Sequence, residues 1–347
     1  MKLGFWRKNV GIDLGTANTL VYITGRGIVV NEPSYVAINN KTGKVVAVGH
    51  EAKNMMGRTP LNINVIRPLV GGVISDFEMA QEIIRQFLKR VGTQSMLGYF
   101  HTCVVGVPNE LTEVEKKSVE DAVIGAGVSK ANIIESALAA ALGARLPVHE
   151  PVANMIIDIG GGTTEVAIIS MGGTVTVKSI KVAGDKFNDD IMNYVRNEFH
   201  LAIGAPTAEE IKIEIGSAVP QDEKLSMQVR GRDLTTGLPK EVTVKGEQVR
   251  AAISKSLTSI LDAIRSVIEV SPPELVGDIL RQGIHICGGG SLLRGIDELI
   301  SKELDVAVHV VEDPLTCVAR GTGLAVENLS EYSYILDNPL KPKDIKI

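Results

Sequence analysis

Apolar and polar positions alternate along this chain in short runs, then shift to a helical period, and the shift recurs from one end to the other. Residues Asn9 to Ile23 read as an apolar strand, an Asp-x-Gly turn of small residues and a second alternating strand, the pattern of a hairpin with a tight polar tip. Residues Asn154 to Ile168 repeat that pattern at an offset of 145, with Asn, Ile, Asp, Gly, Thr and Val at equal places. The chain therefore reads as two related halves.

Helical periods fill the halves out. Phe77, Ala80, Ile83, Ile84, Phe87, Leu88 and Val91 share one face of a helix, and a strand from Cys103 to Val107 precedes a helix from about Thr112 to Ala126. Thr207-x-x-Glu210 has the form of a capping box that opens a helix through Ile215, and Val249 to Val270 carries a long apolar face that stops at Pro272-Pro273. Two segments are strand-rich insertions: Asn31 to Arg67, turning at Asn39 to Gly43, and the polar Gln221 to Gly246. Near the end, a strand from Gly283 to Cys287 runs into Gly288-Gly289-Gly290-Ser291 and a helix from Leu292 to Leu304. The class is α/β, with strands and helices alternating in both halves.

Composition narrows the function. The 347 residues carry a net charge of −5, are 44% hydrophobic and 4% aromatic, and suffice for about two domains with real cores. Nothing approaches the roughly 18 uncharged apolar residues of a spanning helix, and the first ten residues have no signal-peptide core, so a cytoplasmic location is expected. Cys103, Cys287 and Cys317 are far apart with no CxxC pair, which suits buried thiols rather than disulfides or zinc. The mildly acidic balance supplies no global field for nucleic acid. A mean hydropathy of +0.16 with so few aromatics points to aliphatic surface that seeks a partner.

Two matched Asp-x-Gly tips can hold a polyphosphate. Glycine lets backbone N–H groups approach phosphate oxygens, and a carboxylate beside it can hold magnesium through water, which nominates Asp13 and Asp158. The run Gly288-Gly289-Gly290 can admit a base or a phosphate near the following helix. There is no P-loop, Gly288-x-Gly290-x-x-Leu293 lacks the last glycine of a dinucleotide fingerprint, and the six histidines show no HExxH spacing. His285 sits in an apolar strand as a core histidine.

With these features in place, the chain resembles the superfamily of actin, sugar kinases and heat-shock chaperone ATPases, and within it the MreB family of bacterial actin homologues. The segments that carry the resemblance are Ile12 to Leu20, Asn31 to Ser34, Asp158 to Ala167 and Ile211 to Ala218. It implies an actin-like, two-lobed ATPase fold of two duplicated ribonuclease-H-like domains, each with a small inserted subdomain. Its lobe I core is 1–32, 68–148 and 318–347 with insertion 33–67, and its lobe II core is 149–182 and 246–317 with insertion 183–245. ATP (ADP after hydrolysis) and Mg2+ are then expected in the cleft. Gly15, Thr16, Ala17 and Asn18 contact phosphates from one side, and Gly160, Gly161 and Gly162 from the other. Glu209, Glu210, Ile211 and Lys212 approach the ribose and adenine, with Gly288, Gly289, Gly290, Ser291 and Leu292 lining the base pocket.

Two positions depart from the family pattern. The family's second glutamate before the Ala-rich helix, which positions the attacking water, is Ser136 here, after Glu135; and the last acid of the Gly-Asp-Lys-Phe-Asp pattern is Asn188. Serine does not polarise water as a carboxylate does, so slow hydrolysis is expected, with Thr163 left to hold the water and Glu135 or Asp189 as substitutes.

The resemblance also implies head-to-tail protofilaments, antiparallel pairing, and a place under the inner membrane beside cell-shape and wall-synthesis proteins. Leu3, Phe5 and Trp6, mixed with three cations, suit an interfacial anchor, and Met96, Leu97, Tyr99 and Phe100 a second apolar contact. The expected function is a cytoskeletal filament that directs wall synthesis and maintains rod shape. The alternatives are a hydrolysis-impaired paralogue that copolymerises with a competent relative, or a soluble sugar kinase on the same fold.

Overall fold

A computed structural model describes residues 8–92, 100–221 and 225–336. Leu3, Phe5, Trp6, Met96, Leu97 and Tyr99 lie outside them. The chain divides into two compact units, one formed by the residues up to Glu150 with Met171–Gly173 and those from Thr316, the other by Pro151–Ser170 and Thr174–Leu315.

In the first unit, β1 (Val10–Leu14), β2 (Asn18–Ile23) and β3 (Gly27–Pro33) form an antiparallel meander. A small sheet follows, made of β4 (Val36–Asn39), β5 (Val45–Val48) and, after α1 (His50–Met55), β6 (Ile63–Ile66), in the order β5-β4-β6. The short hairpin β7 (Leu69–Val70) and β8 (Val73–Ile74) leads to α2 (Phe77–Val91), β9 (Phe100–Val107), α3 (Glu113–Gly125), β10 (Val128–Glu135) and α4 (Ser136–Gly143). β9 runs parallel to β1 and β10 parallel to β9, so the main sheet reads β10-β9-β1-β2-β3. Helix α2 keeps the expected bounds because Asp76 caps it, accepting from the Met79 amide at 3.1 Å, while Ile83, Ile84 and Phe87 pack into the core. Thr112 and Glu115 close a reciprocal capping box at the start of α3.

The expectation for Phe100 needs correction. Phe100 is the first residue of β9, pairs with Val128 and is 6% exposed in the core, because the strand starts three residues before Cys103.

In the second unit, β11 (Asn154–Ile159), β12 (Thr164–Ser170) and β13 (Gly173–Ile180) are followed by α5 (Gly184–Phe199), β14 (Leu201–Ala202), α6 (Ala205–Ile215), β15 (Ser226–Asp233), β16 (Pro239–Lys245), α7 (Gly246–Glu269), α8 (Pro273–Gln282), β17 (Ile284–Cys287), α9 (Ile296–Leu304) and β18 (Val308–Val310). The main sheet reads β13-β12-β11-β17-β18, with β17 parallel to β11 and β18 parallel to β17. This order matches the first unit strand for strand, and the repeat at offset 145 lies on the equivalent hairpins β1–β2 and β11–β12. One face of the sheet, with Met155, Ile157 and Ile159, packs on Phe187 of α5, Ile211 of α6 and Ile260 of α7. The chain then returns to the first unit as α10 (Cys317–Glu327).

Two helix starts differ from the sequence pattern. Helix α6 opens at Ala205, with proline in its first turn and no side-chain cap, so Thr207 lies inside the helix rather than capping it. The helix expected from Leu292 is split: Gly289–Leu292 is a 3-10 turn, and Gly295, at φ 71°, resets the chain before α9.

Candidate functional site

The tip of the first hairpin is held from behind by one serine. The Ser34 hydroxyl donates to the Gly15 carbonyl at 2.7 Å and bonds the Thr19 hydroxyl at 2.9 Å, while the Ser34 amide donates to the Ala17 carbonyl at 2.9 Å. Ser34 is fully buried, so the tip 15–18 is tied on its inner side. An added Cβ at Gly15 would lie 2.6 Å from the Asn18 carbonyl oxygen, which makes glycine a requirement of the turn. Thr16 is 5% exposed and its hydroxyl accepts from the Gly72 amide at 2.9 Å, linking the tip to the β7–β8 turn.

Asp13 is the penultimate residue of this hairpin's first strand and pairs with Gly106 of β9. Glu135, the last residue of β10, pairs with Val107, and Ser136 opens α4 with its hydroxyl 3.5 Å from where a Cβ on Gly106 would sit. The first unit thus gathers Asp13, the tip, Glu135 and Ser136 at one end of its sheet.

The second unit builds a matching end. The Gly160 amide donates to the Thr163 carbonyl, and the Gly160 and Gly161 carbonyls accept from the Gly184 and Asp185 amides at 3.2 and 2.7 Å. The tip therefore rests on the first turn of α5. Lys212 donates to the Gly184 carbonyl at 3.1 Å, which sets its ammonium at the glycine tip. Ile211 faces the core with no exposure, so its side chain is packing, whereas Glu210 is exposed and Glu209 half-buried.

In Gly288-Gly289-Gly290, expected to admit a base or a phosphate, two of the three glycines serve packing instead. Gly288, at φ 78°, would set a Cβ 2.3 Å from Asp158 Oδ1, and a Cβ on Gly290 would sit 2.2 Å from Ile159 Cγ2. Both glycines let the turn close on β11. The Ser291 hydroxyl bonds back to the Gly288 carbonyl at 2.7 Å and is buried. Gly289 and Leu292 are the exposed members, joined by Leu315, whose Cδ2 lies 3.4 Å from a Cβ on Gly289. The sequence reading missed Leu315, which no local pattern marks, and gave Ser34 no role. Arg294 fastens this turn to α6 by donating to the Ile213 and Gly216 carbonyls at 3.1 and 3.3 Å, which accounts for the distinctive Ile211 to Ala218 segment.

Asp158 is the electrostatic centre of this half. Burial pushes its carboxyl up to about 6, and a hydrogen bond from the Cys287 thiol, its neighbour across the parallel pair, holds it back. A half-buried, desolvated carboxylate whose hydrogen-bond partner is a thiol fits a divalent cation, which would supply the missing countercharge. Because the folded value lies above the ordinary 3.8, this group withdraws stability as pH rises from about 4 through about 6. A bound cation removes that cost. A divalent cation bound at Asp158 would displace its proton, so addition of Mg2+ is expected to release protons near pH 6 and almost none at pH 8, read by calorimetry in buffers of different ionisation enthalpy, with the release lost in Asp158→Asn.

Asn188 is 8% exposed with its Oδ1 buried and without a hydrogen-bond partner, and the neighbouring Asp189 is exposed. The acid next door is thus turned away from the position that Asn188 occupies.

A family model for the MreB/Mbl protein matches residues 7–334. The chain is 47% identical over 333 residues to the cell shape-determining protein MreB of Escherichia coli K12, covering 95% of this chain and 96% of that protein. It is 44% identical over 324 residues to the cell shape-determining protein Mbl of Bacillus subtilis, covering 93% and 97%. The crystal structure of MreB5 of Spiroplasma citri bound to ADP is similar with a TM-score of 0.90 at 40% identity, covering 95% of this chain and 99% of that one. The MamK double helical filament shares the fold at a TM-score of 0.78 and 23% identity, covering 92% and 99%. Matched sheets, matched tips and near full-length similarity lead to one conclusion: the chain belongs to the MreB/Mbl family of actin-like, cell shape-determining cytoskeletal proteins.

Proposed function

We propose that the chain binds ATP with magnesium through its two hairpin tips and polymerises into filaments that lie against the inner membrane and guide wall synthesis. The observation that carries this reading is the pair of glycine tips on equivalent strands, each tied from behind and each beside an aspartate. Asp13 and Asp158 would hold the magnesium, which neutralises phosphate charge when bound. Residues 15–18 and 160–162 offer backbone groups to the phosphates, Lys212 supplies a cation beside the second tip, and Leu292 with Leu315 offers apolar surface to the base. MreB5 of Spiroplasma citri, bound to ADP in one structure and to AMPPNP in another, supports nucleotide as the ligand. MamK, which shares the fold, forms a double helical filament. Head-to-tail contacts between copies propagate without closing, as a filament requires.

Among the described residues no helix is long and apolar enough to cross a membrane; the proposed membrane contacts are Leu3, Phe5 and Trp6 with Met96, Leu97 and Tyr99, whose apolar side chains suit an interface. Weak contacts on each subunit add along a filament. Sedimentation of the full chain with ATP and anionic liposomes tests both parts. Pelleting with ATP alone, increased by liposomes, is expected; Asp158→Ala should lose the ATP-dependent pellet, and removal of residues 1–6 together with Leu97→Ser only the liposome increment. Phe100 is left intact because it is core. A chain that stays in the supernatant at all ATP concentrations would refute the polymer.

Ser136 and the buried, unpartnered Asn188 Oδ1 favour a second reading for turnover: a filament that binds nucleotide and hydrolyses it slowly, acting with a competent relative.

A further inference from the structure

The second unit holds a pair of histidines that nucleotide binding does not use. His285 of β17 and His309 of β18 are direct partners in a parallel pair, so both rings leave the sheet on the same face. Their centroids are 5.5 Å apart with the planes tilted by 42°. His309 is exposed on the edge strand, and Gly283, at φ 80°, leaves room for its ring, since a Cβ there would lie 2.8 Å from His309 Nε2. His285 is half-buried, and its Nδ1 is shut off from solvent without a hydrogen-bond partner.

That nitrogen is poised to act as a ligand. With no hydrogen-bond partner at Nδ1, a ring that carries its proton on Nε2 leaves the Nδ1 lone pair unshared. Burial first, and the neighbouring His309 second, hold His285 below its ordinary value, so the ring is neutral at physiological pH. Two imidazoles on one tetrahedral ion, with metal–nitrogen distances of about 2.0–2.1 Å, have centroids roughly 5 Å apart. The observed centroid spacing of 5.5 Å is close to that value, and strand pairing fixes the backbone beneath both rings.

We propose that His285 and His309 form a two-imidazole site for a borderline transition-metal dication of the Zn2+ or Ni2+ class, which clips the edge strand β18 to β17. No group of three or more His, Cys, Asp or Glu donors gathers among the described residues, so solvent would have to complete the coordination. Magnesium is a poor occupant, because it demands oxygen ligands. The site is separate from the carboxylates assigned to the nucleotide.

The test titrates Ni2+ into chelator-stripped, nucleotide-free full chain, reading calorimetric stoichiometry and the thermal unfolding midpoint. One ion per chain and a midpoint that rises with Ni2+ are expected. His309→Ala, at an exposed position, should lose both while keeping the metal-free midpoint, and His50→Ala, at another exposed histidine, should keep both. Absence of saturable binding in the unaltered chain, unchanged binding in His309→Ala, or equal loss in His50→Ala would each overturn the assignment.

Discussion

Gly321→Leu is expected to yield no folded protein, and Gly321→Ala to lower the unfolding midpoint steeply. Gly321 lies in α10 where that helix crosses α4, and a Cβ there would sit 1.8 Å from the Ala139 carbonyl oxygen and 2.5 Å from its carbon. The contact is reciprocal: a Cβ on Gly143 would lie 1.9 Å from the Cys317 carbonyl oxygen. Side chains can rotate away from an intruder, but main chain cannot, so the helices must separate. Separation would break the bond from the Cys317 thiol to the Ala140 carbonyl at 3.1 Å and that from Arg320 Nε to the Gly143 carbonyl at 3.2 Å. Overpacking of an ordinary core costs about 1–3 kcal/mol, and a backbone wall places even Ala at or beyond the top of that range, against about 5–15 kcal/mol for a whole domain. The control is Gly277→Ala on α8, where a Cβ meets nothing within 4 Å. There the helix is expected to gain about 0.5–1 kcal/mol. Thermal denaturation of the three variants checks the contrast, and a folded Gly321→Leu with an unchanged midpoint would contradict it.

Ser136→Glu is expected to raise phosphate release by about 10²-fold or more, the contribution of a group that positions the attacking water. The family resemblance places a glutamate at this position, and the site can take one: Ser136 is half-buried at the first turn of α4, where negative charge is favoured by the helix dipole. ATP-dependent pelleting should survive the change. Glu135→Gln separates the alternatives. If Glu135 compensates for the serine, its loss removes the residual turnover of the unaltered chain; if it does not, turnover stays low and equal. A Ser136→Glu variant with unchanged phosphate release would show that water is not positioned from this residue.

The legible parts of the fold were those written in local pattern. The hairpins β1–β2 and β11–β12 announce themselves by alternation around a small-residue tip, and α2 by an unbroken apolar stripe with Asp76 before it. The start of α7 at Gly246 is invisible to periodicity, because apolar positions begin only at Val249. Phe100 was misplaced for a related reason. Alone it belongs with Met96, Leu97 and Tyr99 as an apolar cluster, and only its pairing with Val128 makes it core. In the candidate site, the tips and both aspartates could be read from spacing. The reason for Gly288 and Gly290 could not, since it lies in contacts with Asp158 and Ile159 more than a hundred residues earlier. Cys287 and Leu315 were hidden in the same way, by partners that topology rather than sequence brings close.

The crossing of α4 by α10 also governs how this chain can be made. Every residue of α4 from Ala137 to Gly143 is buried in the finished protein, yet the helix that covers it begins at Cys317. At about 5–20 residues per second, a ribosome needs roughly 10–35 s to travel from one to the other. Through that interval the alanine-rich segment has been made and its α10 partner has not. The packing of α4 in the finished protein is therefore completed only when α10, made near the end of synthesis, arrives to cover it.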